Sequence, residues 1–160
     1  VRNKVIDNII QTKNSLKIKT NDEKLTGTLH IVMDLINQKN TDEALTHYPK
    51  VLELFNNVDN KLQNDLKPII SHLYYELEIY NLNNMIRSAY SKSLTGVWHE
   101  AVDEYNEIHD IIPEIPNNFK PKITKKLNKL DLTMNIHMLK SHTETNQYKS
   151  VDDSLFSRRK

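Results

Sequence analysis

Displaced by 57 residues, the chain falls back onto its own pattern without a gap: Glu43-Ala44 lands on Glu100-Ala101, and Tyr48 on Tyr105. The apolar positions follow. Leu25, Leu29, Val32 and Met33 meet Leu82, Ile86, Ala89 and Tyr90, while Val51, Leu54 and Phe55 meet Ile108, Ile111 and Ile112. Further on, Leu62, Leu66, Ile70, Leu73 and Leu77 meet Phe119, Ile123, Leu127, Leu130 and Met134. A fixed period of this kind makes one supersecondary unit, used twice, the default architecture. Coincidental phasing stays open beside true duplication, because at about 3.6 residues per turn this offset is close to about sixteen whole turns. Amphipathic helices at that spacing keep phase whether or not they share an origin. The Glu-Ala pairs, the tyrosine four residues after each Ala, and Asn60 with Asn117 therefore carry more information than the apolar matches.

Both explanations require helices, and composition agrees. Gly27 and Gly96 are the only glycines in 160 residues, which leaves almost no material for hairpin turns or phosphate loops. Apolar residues recur at spacings of three and four rather than alternating. The pattern predicts an all-α, right-handed, α-solenoid-like bundle of about six to seven helices. It fills one domain over residues 1–140, with units at 25–81 and 82–138, and a flexible, polar C-terminal tail over 141–160.

Along the chain, residues 2–19 form a first helical segment, and the polar stretch 20–23 predicts a break, with Thr20, Asn21 or Asp22 capping the restart. A helix then ends near Gln38, and a second begins after Lys39-Asn40-Thr41, with Asn40 or Thr41 as its cap. Pro49 predicts a kink or break within that second helix. The third covers about residues 61–80, unless Pro68 is its start. In the second unit, Leu94-Thr95-Gly96 links to a helix over 98–112, which Pro113 and Pro116 stop. A last long helix covers 119–139, with Pro121 in its first turn.

The charge balance is close: 22 basic against 21 acidic residues, which weighs against a bulk polyanion binder. No cysteine is present, so disulfides, thiolate catalysis and Cys-ligated zinc are excluded, in keeping with a reducing, cytoplasmic setting. No apolar run approaches the ~20 residues of a membrane span. The N-terminus has neither an initiator Met nor a signal core and reads as the start of a segment within a longer protein.

Seven histidines raise the question of a metal, but none completes a His-Glu-x-x-His pattern. His30 has Asp34, and His99 has Asp103, four residues on; His137 has no acid at helical spacing. Glu100, Asp103, Glu104, Glu107 and Asp110 line one helix, yet no Glu-x-x-His motif completes a di-iron bundle. Trp98 is a core anchor or a ligand platform. No catalytic residue, metal site or cofactor site is predicted, and the chain is read as a non-enzyme. The clearest charge segregation is the acidic run followed by Lys120, Lys122, Lys125, Lys126 and Lys129. Either the two runs pair between adjacent helices, or they recruit a charged partner. Exposed single pairs contribute only about 0–1 kcal/mol each, so binding is the better reason for the pattern if the faces point outward.

Residues 40–54 and 97–111 resemble the second helix of a tetratricopeptide-like hairpin, on Glu43-Ala44 with Tyr48 and Glu100-Ala101 with Tyr105. The resemblance implies a helical-repeat fold that holds a peptide or helix; the 57-residue period and mid-helix Pro49 depart from the 34-residue standard. Residues 2–73 also look like the small helical module shared by the C-terminus of the COPII outer-coat subunit and the steroid receptor RNA activator protein. The expected function is a non-catalytic scaffold or adaptor for protein–protein interaction within a larger protein or complex. Its expected contacts are Glu100, Asp103, Glu104, Glu107, Lys120, Lys122, Lys125, Lys126 and Lys129. RNA binding through the basic 120–129 segment is the alternative.

Overall fold

The two long helices α1 and α3 stop where the backbone turns left-handed, and a polar stretch inside α1 does not stop it. The computed structural model describes the backbone of residues 2–156, and side chains over 11–140 apart from residues 13 and 17–19. Helix is the only regular secondary structure among the described residues: α1 (Arg2–Asn37), α2 (Thr41–Phe55), α3 (Asn60–Leu94), α4 (Trp98–Ile111), a single 3-10 turn (Ile112–Glu114), and α5 (Pro121–Phe156). Five helices thus stand where six to seven were expected.

The difference has a local cause. The expected break at residues 20–23 does not occur, because α1 runs straight through it. That stretch is polar but holds no Gly or Pro, and hydroxyls within it and just after it fold back onto the helix. Thr20 Oγ1 donates to the Leu16 carbonyl (2.9 Å), and Thr26 Oγ1 to that of Asp22 (2.8 Å). The expected boundary near 81–82 is likewise absent. Asn83 Nδ2 donates back to the Ile79 carbonyl (2.9 Å), and α3 continues to Leu94. Neither Pro49 nor Pro68 ends its helix; both rings lie on exposed positions, while the buried side of each helix carries the packing.

α1 and α3 end in left-handed caps. Lys39 (φ 62°) and Gly96 (φ 80°) each follow a long helix. The next amide reaches back five residues, from Asn40 to the Leu35 carbonyl (2.8 Å) and from Val97 to the Lys92 carbonyl (2.9 Å). This is the Schellman pattern, and it satisfies carbonyls that a helix end leaves open. Asn40 precedes α2, but its side chain makes no bond to the helix backbone and instead holds Glu43. The third helix has a better cap than the sequence suggested: Asp59 Oδ1 accepts from the Leu62 amide (2.8 Å).

The two caps stand at the same 57-residue offset as the apolar pattern. So do the starts of α2 and α4, Thr41 and Trp98, and the ends of α1 and α3, Asn37 and Leu94. Loop register of this kind does not follow from helical phase alone.

The chain divides into two compact units, Val1–Glu78 and Ile79–Lys160, with the division inside α3. In the first unit, Leu25, Leu29 and Val32 of α1 pack with Ala44, Tyr48, Val51 and Leu54 of α2 and with Ile70, Leu73 and Leu77 of α3. In the second, Leu82, Ile86 and Ala89 of α3, Ala101 and Ile108 of α4, and Ile123, Leu130 and Met134 of α5 are buried. Ala44 and Ala101 are both fully buried, as close helix approach requires. Helices as short as α2 and α4 are marginal by themselves. Their stability comes from residues such as Val51 and Ile108, each worth about 1.5–3 kcal/mol when removed from water. Residues 141–156 continue the backbone of α5; their side chains and the whole of residues 157–160, the end of the expected tail, lie outside the described residues.

Candidate functional site

The acids expected on one open face of α4 divide between two uses. Lys92, near the end of α3, reaches Glu104 Oε1 (2.8 Å) and Glu100 Oε2 (2.9 Å), and Ser88 Oγ donates to the same Glu104 oxygen (3.0 Å). The hydrogen bond to Glu104, and then that to Glu100, hold the Lys92 ammonium above its ordinary pKa. Lys92 in turn holds the Glu100 carboxyl below its own. Asp103 pairs along the helix with His99 (3.0 Å). Glu107 is exposed.

The lysines do not pair with those acids. Lys125, Lys126 and Lys129 are exposed on α5. Lys126 Nζ donates to Asn83 Oδ1 on α3 (2.8 Å), and Lys129 Nζ lies 4.4 Å from the centre of the Tyr90 ring. Lys122 sits 5.4 Å from the Phe119 ring centre. Lys120 is half-buried in the turn before α5, where its carbonyl accepts from the amides of Ile123 and Thr124 (3.1 Å each). Two members of each run thus meet α3: Glu100 and Glu104 through Lys92, and Lys126 and Lys129 through Asn83 and Tyr90.

What ties α4 to α5 was not legible as a motif. The Trp98 indole and the His137 ring stack at 3.4 Å with an interplanar angle of 1°. Eleven residues on, His109 Nε2 meets Asp131 Oδ1 at 2.9 Å, and the Tyr105 ring lies edge-on to His109 at 4.5 Å. Burial first, and then the Asp131 carboxylate, raise the pKa of the Tyr105 hydroxyl. Trp98 is thus a packing anchor between helices. Only the distant partner shows this, because Trp98 and His137 lie on different helices.

Beside Lys126 and Lys129 a groove of about 210 Å³ opens between α3 and α5, lined by Ile86, Arg87, Tyr90 and the two lysines. Arg87, exposed on α3, was not singled out in the sequence, where it stands alone. Its place one turn before Tyr90 brings it to the same groove. The lining of this site combines three basic side chains with an aliphatic and an aromatic one.

Among the described residues no group of three His, Asp or Glu side chains could hold a metal ion, and no helix is long and apolar enough to cross a membrane. Relatives add nothing here. Compared with known proteins, the chain matches no family model, no curated protein and no solved structure. The site must therefore be read from its own geometry.

Proposed function

We propose that the chain is a non-catalytic helical scaffold or adaptor that holds a protein partner, and that the lysine face of α5 in the second unit is the contact. The observation that carries this is the outward placement of Lys125, Lys126 and Lys129 with no carboxylate of α4 against them. Exposed lysines add little to a fold, and their clustering on one face fits an acidic segment of another molecule. Of the two charged runs, the acidic one has Glu100 and Glu104 engaged by Lys92. The basic run is the better contact.

The long–short helix pairs repeating in register support a tetratricopeptide-like, right-handed solenoid as the form of this scaffold. Its setting in this proposal is the cytoplasm. RNA remains the competing partner through the same lysines. The two separate by titrating the chain with Asp/Glu-rich peptides and with single-stranded RNA at several salt concentrations. Peptide binding that Lys125→Glu with Lys129→Glu abolishes supports the scaffold. Tighter binding of RNA, with a steep salt slope, or no peptide binding at low salt, overturns it.

A further inference from the structure

We propose that the groove between α3 and α5 binds a phosphomonoester, the phosphorylated side chain of a partner protein, with Arg87, Lys126 and Lys129 on the phosphate and Ile86 and Tyr90 against the group that bears it. The proposal rests on the scaffold reading above and specifies what part of a partner the basic face grips.

Three observations support it. First, two of the three positive groups that line the groove are already held in place. Asn83 holds the Lys126 head (2.8 Å), and the Tyr90 ring holds that of Lys129 (4.4 Å), so little ordering remains to be done on binding. Arg87 adds a planar fork that matches two oxygens of one anion. Three cations exceed what one carboxylate neutralises; a phosphomonoester brings about −1.5 to −2 charges and three acceptor oxygens.

Second, the dimensions suit one side chain. About 210 Å³ is below the roughly 300–1,000 Å³ of pockets that enclose a drug-sized ligand. The buried Ile86 and half-buried Tyr90 give that side chain an apolar floor. A strand of RNA would instead need cations tracking several nucleotides, with aromatic faces open for stacking. Here one face of Tyr90 carries Lys129.

Third, the fold does not require these charges. The 57-residue register places Leu29, His30, Met33, Ile69 and His72 of the first unit opposite Ile86, Arg87, Tyr90, Lys126 and Lys129. Leu29 and Met33 match the apolar floor, but no residue with a permanent charge stands where Arg87, Lys126 and Lys129 do. The aligned stretches of α1 and α3 in the first unit are thus helical without them.

The same register supplies the test. The full chain is titrated with phenyl phosphate, followed by backbone amide NMR shifts and calorimetry, with benzoate, inorganic phosphate and a uridylate hexanucleotide in parallel. Expected are saturable shifts around Arg87, Tyr90, Lys126 and Lys129. Phenyl phosphate should bind about tenfold more tightly than benzoate, the gain of one further charge-assisted contact. The variant Arg87→His, Lys126→Ile, Lys129→His, which carries the first unit's own residues, should lose this binding with its helicity unchanged. If that variant misfolds, Arg87→Gln alone should weaken phenyl phosphate binding about tenfold. Equal binding of benzoate, shifts mapping away from the groove, binding retained by these variants, or a tighter hexanucleotide at the same residues would each overturn the proposal. Acidic peptides that still bind through Lys125 while phenyl phosphate does not would remove the phosphate site and leave the scaffold. Loss of both would remove both.

Discussion

Replacing Tyr48 by phenylalanine takes one hydroxyl out of the first unit's core and should change its stability in opposite directions at neutral and alkaline pH. Tyr48 is 7% exposed, and its hydroxyl donates to the Ile70 carbonyl at 3.2 Å, joining α2 to α3. Removing a buried neutral hydrogen bond of this length costs about 1 kcal/mol. The same burial, with Tyr74 as a smaller contributor, pushes the hydroxyl pKa from 10.0 to about 12. The sign follows from linkage. A folded-state pKa raised above the unfolded one contributes stability that is complete below pH 10 and lost as pH rises through the folded value, since the unfolded chain gives up its proton first. The wild type therefore loses about 1.4 kcal/mol by about pH 11 and about 2.3 kcal/mol by about pH 12 from this group. Tyr48→Phe loses none of it. The variant should be less stable by about 1 kcal/mol at neutral pH, equal near pH 11, and more stable above. Urea unfolding of both proteins, followed by circular dichroism across that range, measures the difference, and titrating groups that do not interact with Tyr48 cancel in it. Parallel curves with no crossing would show that burial of this hydroxyl does not set its titration.

Three further outcomes are expected. Lys39→Gly should stabilise the first unit by about 1 kcal/mol, because glycine adopts the left-handed cap without a Cβ penalty; Gly96→Ala should destabilise the second unit by a similar amount. Both are read from thermal midpoints, and equal midpoints for Lys39→Gly and wild type would contradict the cap assignment. Lys92→Met should release Glu100 and Glu104, so that the Glu100 carboxyl titrates at higher pH by carbon-detected NMR. Stability from that carboxyl is present above its unfolded pKa and lost as pH falls through the lower folded one, and this acid-side loss should be weaker in the variant. An unmoved Glu100 titration would refute the assigned ion pair. Trp98→Ala should lose the stack on His137 and destabilise the second unit by about 2 kcal/mol, with the His137 ring resonances shifted downfield by removal of the indole. A midpoint within ~0.5 kcal/mol of wild type would make Trp98 a surface residue instead.

The places where sequence reasoning failed share a pattern. A break was expected at Thr20–Glu23 because four polar residues in a row interrupt an apolar stripe. An interrupted stripe is not an interrupted helix, since Thr20 and Thr26 satisfy their own hydroxyls along the axis. Pro49 and Pro68 do not break their helices, and both rings fall on exposed positions. In the candidate site, the lysines were visible as a run, while Arg87 was not. A lone arginine has no spacing signal until another helix brings lysines beside it.

Residue chemistry and phase alone determined that this chain is helical and that α2 and α4 begin where they do. Those properties depend on contacts within a few residues: a 3.6-residue period, few glycines, and local caps. The tertiary structure decided which polar side chains met a partner on another helix. Lys92 drew Glu100 and Glu104 toward α3, Asn83 and Tyr90 held Lys126 and Lys129, and Arg87 joined them. Such pairings depend on which rods lie side by side and at what rotation, and long-range packing of apolar faces sets that geometry.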